Sequence, residues 1–368
     1  MKVLYSCLSK SWGGMEMFTL TAVQQLLKNN ISVELLCINE SRIHIEANNL
    51  GIIIHIINNV GYFHPISILS TASVIKNGKF DLIHTQASKD LWIIVPALNL
   101  LNSKIPLFLT KQLNSFIVKK DVIHKTLYNR VTKIFAISNA VKKNVLDTCP
   151  VTEDKVELLH NGIDISRFNP EKANRKKVRD EFEVEDDEML IGMMARFSPG
   201  KGHEEFIEAA KILSDKYNNL KFLIVGEASR GEDEYANKIK KLAIEKELVN
   251  IIFAGFRSDT PDVLSAMDIF VFPSHSEAFG IALAEALAMG VPSVCSDEEG
   301  VLDIAVNNET SLLFKTKNSL DLAEKIEVLI KNKELRNSFS EHSRLRALKF
   351  FDINILTDKV INVYKSFI

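Results

Sequence analysis

Residues 268–295 read DIFVFPSHSEAFGIALAEALAMGVPSVC. An apolar run at Asp268–Phe272 leads into a polar loop, then a helical pattern at Ile281–Met289, then a second apolar run at Pro292–Cys295. Two parallel strands need a long crossover between them, which is most often a helix. The stretch therefore predicts a βαβ unit whose strands are buried in a parallel sheet.

The same alternation of strand and helix runs along the rest of the chain. It begins with an apolar run at Lys2–Cys7 and a helical pattern at Met15–Lys28, and it restarts with an apolar run at Met189–Met194. Between the two series, Asn161–Asp164 interrupts the pattern. The polar segment Pro170–Arg179, which follows the interruption, is typical of a linker.

Length and composition favour two domains. The chain has 368 residues, of which 46% are hydrophobic and 25% charged, the profile of a globular protein too long for one ordinary domain. We predict an α/β chain with two Rossmann-like, doubly wound parallel-sheet domains, residues 1–163 and 164–351. A terminal amphipathic segment within residues 352–368 predicts a further helix.

Several classes of protein are excluded by the sequence. The longest apolar run, Leu91–Leu101, contains a proline and an asparagine and is shorter than the ~20 residues that span a bilayer. No apolar h-region with a small-residue cleavage site follows the first strand, so we expect no signal peptide, and no DxD motif is present to hold a metal. Four cysteines are scattered without ligand spacing, which indicates a reducing cytoplasm and disfavours a structural zinc: Cys7, Cys37, Cys149 and Cys295. We also expect no other metal, no cofactor and no nucleic-acid partner.

A basic stretch lies in the first predicted domain. Residues 102–143 carry nine lysines and arginines but only one acidic residue, Asp121, although the whole chain has a net charge of −2. The stretch is either a solvated face beside a phosphate-binding site or a contact for an anionic acceptor or membrane surface.

One candidate site follows the first strand of the second predicted domain. Residues 195–203 read ARFSPGKGH, so that Arg196 and Lys201 lie five positions apart in a loop with two glycines, just before a helix. Ligands of doubly wound sheets bind beyond the carboxyl ends of the strands. A guanidinium and an ammonium there suit a diphosphate.

The loop and helix of residues 273–287 give the strongest signal. Glu277 lies in the loop, Gly280 opens the helix, and Glu285 lies on its second turn. The spacing brings two carboxylates to one mouth of the predicted crevice. Carboxylates accept hydrogen bonds from sugar hydroxyls, and a helix N-terminus binds phosphate.

The first predicted domain carries weaker candidates. Gly13 and Gly14 follow the first strand and allow a ligand to approach the backbone, although a tight turn explains them equally well. Any single histidine there is more often a hydrogen-bonded structural residue than a catalyst. The candidates for contact with an acceptor or the cleft are Glu16, His84, Lys111, Ser138 and Asn161.

Together these motifs resemble the family 4 retaining glycosyltransferases of GT-B fold, and the resemblance covers nearly the whole chain. The motifs that carry it are Gly13-Gly14 with Glu16, Ile137-Ser138, Asn161-Gly162-Ile163-Asp164, the Arg196 and Lys201 loop, Gly255-Phe256, Asp268 leading to Pro273-Ser274, and the block from Glu277 to Glu285. The resemblance implies two domains facing a central cleft, with the C-terminal helix packed back on the first domain. The first domain would bind the acceptor and the second the nucleotide-sugar donor.

The resemblance also implies roles for individual residues. Arg196 and Lys201 would hold the donor diphosphate, Glu285 the ribose hydroxyls and Glu277 the transferred sugar. The remaining donor-binding residues would be Gly13, Gly14, Gly255, Phe256, Phe279, Gly280 and Ile281. The reaction implied is transfer with retention, in which a donor phosphate oxygen accepts the proton of the acceptor.

The sequence departs from the family pattern after the strand that ends near Thr110. The family commonly has a histidine in that place, where this chain has Lys111 and Gln112. Glutamine forms hydrogen bonds but carries no charge. Gln112 is accordingly the fourth candidate catalytic residue, with Arg196, Lys201 and Glu277.

We therefore expect a retaining glycosyltransferase that moves a sugar from a nucleotide diphosphate, UDP foremost, to a cell-envelope glycan or lipid-linked acceptor. The acceptor classes are lipopolysaccharide, capsule, exopolysaccharide and glycolipid. Such an enzyme would be cytoplasmic and could touch an anionic membrane through residues 102–143. The alternatives are a non-catalytic nucleotide-sugar-binding subunit and a GT-B-fold nucleotide-sugar epimerase.

Overall fold

A computed structural model describes residues 1–58, 64–228 and 231–368. The chain divides into two compact units. Unit 1 contains Met1–Gly162 together with Ile353–Ile368, and unit 2 contains Ile163–Asp352. These bounds differ by one residue from those expected from the sequence.

Unit 1 is a seven-stranded sheet in which every strand pair is parallel. The strands are β1 (Lys2–Cys7), β2 (Ser32–Ile38), β3 (Ile53–Ile57), β4 (Leu82–Thr85), β5 (Leu107–Lys111), β6 (Lys133–Ala136) and β7 (Val156–Leu158). Their order in the sheet is β3-β2-β1-β4-β5-β6-β7. The helices that connect them are α1 (Gly14–Lys28), α2 (Arg42–Asn49), α3 (Pro65–Gly78), α4 (Leu91–Leu100), α5 (Val122–Asn129) and α6 (Asn139–Thr148).

Unit 2 repeats the plan with six parallel strands. They are β8 (Met189–Met194), β9 (Leu220–Val225), β10 (Ile251–Gly255), β11 (Ile269–Phe272), β12 (Ser293–Ser296) and β13 (Ser311–Phe314), in the order β10-β9-β8-β11-β12-β13. The helices are α7 (Arg175–Glu181), α8 (His203–Ser214), α9 (Asp233–Glu245), α10 (Thr260–Ala266), α11 (Ile281–Ala288), α12 (Glu299–Leu302), α13 (Ser319–Lys331) and α14 (Lys333–Phe350).

Buried strands explain the apolar runs of the sequence. In β11 all four residues are buried, and β8 and β9 are buried along most of their length. Helices cover both faces of a doubly wound sheet, so side chains on both faces of each strand must be apolar. The predicted βαβ unit at residues 268–295 is confirmed as β11, α11 and β12.

The last helix, α15 (Ile353–Lys365), belongs to unit 1 and packs against α1. Tyr364 on this helix is fully buried, and its hydroxyl hydrogen-bonds to Nδ1 of His84 in β4. The ring of Tyr364 also contacts Phe108 of β5, with ring centroids 4.9 Å apart. The C-terminal helix is therefore part of the core of unit 1.

The prediction of a linker at Pro170–Arg179 is wrong. The segment contains a short 3-10 turn and the first residues of α7, which packs against α10. Arg175 and Arg179 both bind the carboxylate of Asp268, at 2.7 and 3.2 Å, and Arg179 is 7% exposed. A third partner is the backbone N–H of Leu190, which donates to the carboxylate of Asp268 at 2.8 Å. The polar composition therefore reflects ion pairs with a residue about ninety positions away.

Within residues 1–58, 64–228 and 231–368, no helix combines the length and the apolar character that crossing a membrane requires.

We predict that Asp268→Ala lowers the free energy of unfolding by about 2–3 kcal/mol, because two arginines lose their carboxylate partner and the backbone N–H of Leu190 loses its acceptor. The matched control is Asp180→Ala, which removes an exposed partner of Lys176 one helical turn away. Urea unfolding followed by circular dichroism measures both. Equal midpoints for the two variants would contradict an anchoring role for Asp268.

Candidate functional site

Each sheet has one point where the strand order reverses. In unit 1 this point lies between β1 and β4, and in unit 2 between β8 and β11. Connections leave in opposite directions there, so the loops at the carboxyl ends of the two strands separate and form a crevice. The loops after β8 and β11 contain the residues that the sequence singled out most strongly.

The two loops of unit 2 touch through their backbones. Gly202 has φ +79°, and a Cβ at this position would lie 2.2 Å from the carbonyl oxygen of Pro273. The backbone N–H of His275 donates to the carbonyl of Gly200 at 2.8 Å. Because only glycine permits this approach, the sequence Gly200-Lys201-Gly202 fixes one loop against the other.

This contact brings Lys201 and Glu277 together. The ammonium of Lys201 lies 2.7 Å from Oε1 and 3.1 Å from Oε2 of Glu277, and the two side chains are 23% and 16% exposed. Both groups are thus accessible at the crevice. A bound anion would give Lys201 a second acceptor, and the carboxylate of Glu277 would then accept hydrogen bonds from hydroxyls beside that anion.

The start of α11 lies next to this ion pair. Gly280 caps the helix with φ +103° and is buried, as is Phe279, while Ile281 is the first helical residue. The first backbone N–H groups of a helix have no partner within it, and they carry a partial positive charge. Arg196 is exposed in the loop after β8. The crevice therefore combines two cations with a helix N-terminus, which is the chemistry of a phosphate site.

Glu285 follows on the second turn of α11 and is partly exposed. Burial raises the pKa of its carboxyl to about 7, although nearby Arg167 acts in the opposite direction. The carboxyl thus changes its protonation state near neutral pH, where a protonated oxygen can donate a hydrogen bond and an ionised one can only accept.

A pocket of about 270 Å³ lies at the carboxyl ends of β8, β9 and β10. Its lining includes Phe197, Gly226 and Gly255, and Gly255 has φ +67°. Phe256, the next residue, is 64% exposed. The pocket thus lies beside Gly255 and Phe256, two of the residues that the family resemblance assigns to donor binding.

In unit 1 four of the candidate residues lie at the starts of two helices, α1 and α6. Gly13 is the N-cap of α1 and Gly14 its first residue. Glu16, in the first turn, is 3% exposed, so its carboxylate faces the protein interior. Ser138 accepts a hydrogen bond from the N–H of Val141 and caps α6. Two helices thus begin with their N-termini at the carboxyl edge of the unit 1 sheet.

Gln112 belongs to a chain of buried polar side chains. Its amide nitrogen donates to Oε1 of Gln86 at 2.8 Å and to Oδ1 of Asn161 at 3.3 Å, and its oxygen accepts from Asn161 at 3.0 Å. Gln86 in turn hydrogen-bonds to the hydroxyl of Tyr5. Gln86, Gln112 and Asn161 are each at most 6% exposed. In this arrangement the amide of Gln112 bonds to the protein and holds the loops together.

Lys111 and His84 are also buried, with different consequences. The ammonium of Lys111 donates to Ser88 at 3.0 Å, and burial, aided by the charge of Lys119, lowers its pKa to about 8. His84 is 2% exposed, and burial lowers its pKa to about 3. Since its ring nitrogens bond to Thr110 and Tyr364, His84 is a neutral residue of the core.

Two groups near the candidate site have no counterpart in the sequence expectations. His275 lies 2.9 Å from the carboxylate of Glu205 on α8, which joins the loop after β11 to the helix after β8. Gln86 connects Tyr5 to Gln112. Neutral amides and a single histidine give no spacing signal. The one signal that the sequence offers for His275 and Gln86 is that each follows shortly after a strand, where ligands of such sheets bind.

Two family models match the chain. The family described as glycosyl transferases group 1 matches residues 174–346, and the family described as glycosyltransferase family 4 matches residues 12–167. The first match lies in unit 2, and the second spans unit 1 up to the start of unit 2.

Similar proteins include two curated bacterial transferases. The capsular polysaccharide biosynthesis glycosyltransferase CapM of Staphylococcus aureus is 29% identical over 64% of this chain, which spans 62% of that relative's length. The UDP-Gal:alpha-D-GlcNAc-diphosphoundecaprenol alpha-1,3-galactosyltransferase of Escherichia coli is 26% identical to this chain. The similarity covers 81% of this chain and 78% of the length of that enzyme.

The fold is shared with solved structures. A glycosyltransferase from Rickettsia africae superposes with a TM-score of 0.89 at 23% identity, covering 100% of this chain and 98% of that one. The predicted GT-B fold class, with two Rossmann-like domains, is thereby confirmed.

We predict that Gly202→Ala destabilises unit 2 by about 3 kcal/mol or more, because the added Cβ collides with the Pro273 carbonyl. The matched control is Gly231→Ala, since Gly231 has φ +86° but nothing within 4 Å of an added Cβ. The control should lose only the ~1 kcal/mol of backbone strain. Thermal unfolding measures the stability of both variants. Equal losses of stability would show that the fold does not require the close approach of the two loops.

We predict that Glu285→Gln stabilises the protein above neutral pH. The folded carboxyl keeps its proton up to about pH 7 and the unfolded one only to 4.5, so stability falls as pH rises between these values. The amide removes this loss, which is at most about 3 kcal/mol. Urea unfolding at pH 5 and pH 8 measures it, with the exposed Glu245→Gln as control. A variant no more stable than the parent at pH 8 would contradict the raised pKa.

Proposed function

Because the chain belongs to the family 4, group 1 glycosyltransferases, we propose that it transfers a sugar from a nucleotide diphosphate to a lipid-linked or cell-envelope glycan acceptor with retention of configuration. Unit 2 binds the donor and unit 1 the acceptor. The observation that carries the proposal is the pairing of Lys201 with Glu277 at the strand-order reversal of unit 2, beside the start of α11.

The donor diphosphate lies between cations and backbone N–H groups. Lys201 turns from Glu277 toward a phosphate oxygen, Arg196 donates to the same diphosphate, and the N–H groups at Gly280 and Ile281 complete the cradle. Glu277, once released, accepts hydrogen bonds from hydroxyls of the transferred sugar. Glu285 does the same for the ribose, and the pocket beside Gly255 takes the base.

In the transfer step, the bond between the sugar C1 and the donor phosphate oxygen breaks. The acceptor oxygen forms its bond to C1 on the same face, and its proton passes to the departing phosphate oxygen. Negative charge grows on the leaving diphosphate, so Lys201 and Arg196 stabilise the transition state more than the ground state. The step uses no general base from the protein.

The substrates of similar enzymes support one choice of donor and acceptor. A UDP-sugar is proposed because the similar E. coli enzyme uses UDP-galactose, and a diphosphoundecaprenol-linked acceptor because that enzyme acts on one. The similarity to CapM, a glycosyltransferase of capsular polysaccharide biosynthesis, supports capsule as a second class of acceptor. A lipid-linked acceptor places the enzyme at the cytoplasmic face of the membrane, where the basic residues 102–143 meet anionic headgroups.

The proposal is tested by incubating the protein with a panel of UDP-, GDP- and ADP-sugars and a short-chain polyprenyl-diphosphate-linked sugar. Release of nucleoside diphosphate that depends on acceptor, and an anomeric proton coupling in the product equal to that of the donor, are expected. Donor binding without turnover on any acceptor would instead favour a binding subunit. Inversion of the anomeric coupling would reject the retaining mechanism.

We predict that Lys201→Ala and Glu277→Ala each lower kcat by two orders of magnitude or more, since Lys201 acts on the departing diphosphate and Glu277 on the transferred sugar. The matched control is Lys211→Ala, which removes a lysine of α8 paired with Asp215 on the surface. Circular dichroism checks that the fold survives. Turnover within a few-fold of the parent in both site variants would remove Lys201 and Glu277 from the mechanism.

A further inference from the structure

An exposed apolar surface of unit 1 follows β5. Leu113, Phe116, Ile117 and Val118 are 62–97% exposed in the loop between β5 and α5, and Val122 and Ile123 are 77% and 57% exposed at the start of α5. We call these six residues the apolar segment. Single exposed apolar residues are ordinary on a protein surface, but six within eleven positions form a patch that indicates a binding surface.

The apolar segment is held outward by its own anchors. The backbone of Ser115 bonds in both directions to the side chain of Asn144 on α6, at 2.7 and 3.0 Å. The N–H of Lys119 donates to the carbonyl of Thr148 at 2.6 Å. Phe116, Ile117 and Val118 lie between these two attachment points. The loop is therefore tied to the fold at both ends and presents three apolar side chains to solvent.

Positive charge surrounds the apolar segment. Lys119 and Lys120 follow Val118 directly, and Lys125 lies one helical turn after Val122. Lys142 and Lys143 lie on α6 beside the anchoring Asn144, where Lys142 pairs with Glu153 at 3.1 Å. Asp121 is the single carboxylate among residues 102–143, and it accepts hydrogen bonds from the N–H groups of Ile123 and His124 as the cap of α5. Its charge therefore faces a helix N-terminus.

We propose that the apolar segment inserts into the headgroup region of an anionic lipid bilayer, with the surrounding lysines contacting the headgroups. Apolar side chains ringed by lysines match the two layers of such a membrane, because hydrocarbon lies beneath a negatively charged surface. A protein partner would more often meet a surface of aromatic and arginine residues, and lysine is depleted in such interfaces.

The place of the apolar segment in the fold supports this occupant. Leu113 follows Gln112 directly, and Gln112 lies at the carboxyl edge of the unit 1 sheet. An acceptor sugar bound at that edge would have its lipid carrier pointing along the apolar segment into the bilayer. The role of the segment in catalysis rests on the proposed acceptor, but the membrane contact itself requires neither donor nor acceptor.

The test measures binding of the full chain to vesicles without any substrate. Sedimentation compares vesicles of phosphatidylcholine alone with vesicles that also contain phosphatidylglycerol. The variant Phe116→Ser/Ile117→Ser/Val118→Ser should weaken binding to the anionic vesicles about tenfold or more, and Lys119→Gln/Lys120→Gln/Lys125→Gln should weaken it and reduce its salt dependence. The matched control is Val249→Ser, a residue of unit 2 that is 98% exposed.

Insertion is observed directly with a fluorophore. The four native cysteines are all buried, so Phe116→Cys provides the accessible thiol for an environment-sensitive dye. The dye should shift its emission to the blue with anionic vesicles, whereas the same dye on Val249→Cys should not. The proposal is overturned if the parent protein ignores anionic vesicles, if the serine variant binds as well as the parent, or if the dye on Phe116→Cys stays in water.

Two further measurements distinguish membrane contact from self-association and from a failure of the proposed transferase function. Self-association of the parent in light scattering, abolished by the serine variant without any vesicle binding, would show that a second copy covers the apolar segment. Turnover of a short-chain, water-soluble acceptor should be equal in the parent and the serine variant. If that acceptor is not turned over by either protein but vesicle binding behaves as expected, the proposed function fails while the membrane contact stands.

Discussion

The close approach of two loop backbones at Gly202 and Pro273 is the constraint on which the candidate donor site depends. A side chain at Gly202 would lie 2.2 Å from the Pro273 carbonyl, so the loops after β8 and β11 meet only because that side chain is absent. The approach sets Lys201 2.7 Å from Glu277, and the His275–Glu205 pair joins the loop after β11 to α8. Sheet topology supplies the crevice, but glycine determines its width.

In unit 1, buried polar side chains hydrogen-bond to one another and fix the loops at the carboxyl edge of the sheet. Tyr5, Gln86, Gln112 and Asn161 form a buried chain in which the amide groups satisfy one another. An unsatisfied buried amide costs about 1–3 kcal/mol, so each member fixes its neighbours. The absence of charge at Gln112 suits this arrangement, since an ionised side chain in the same place would need a counter-ion.

Much of the fold could be predicted from the sequence, because buried parallel strands have a clear apolar signature. The strands Lys2–Cys7 and Met189–Met194 have the bounds expected from their apolar runs. The helix α7 could not be predicted, because the contacts of Arg175 and Arg179 with Asp268 join residues far apart in the chain. Lys201 and Glu277 were accessible to prediction since both follow strands in glycine-bearing loops. Gln86 and the exposed side chain of Phe116 were not, because neither neutral amides nor surface exposure leaves a periodic pattern.

The return of α15 to unit 1 has a consequence for how the chain is made. During synthesis, residues 1–162 emerge first, but the core they build receives Tyr364 only after all of unit 2 has been translated. Until then, Nδ1 of His84 and the neighbouring aromatic rings of β5 and β6 lack their covering helix. Domains generally fold as units in the order of synthesis. Here the earlier unit is completed last, so a ribosome that stalls within unit 2 releases a first domain with an open core, a natural target for chaperones and proteases.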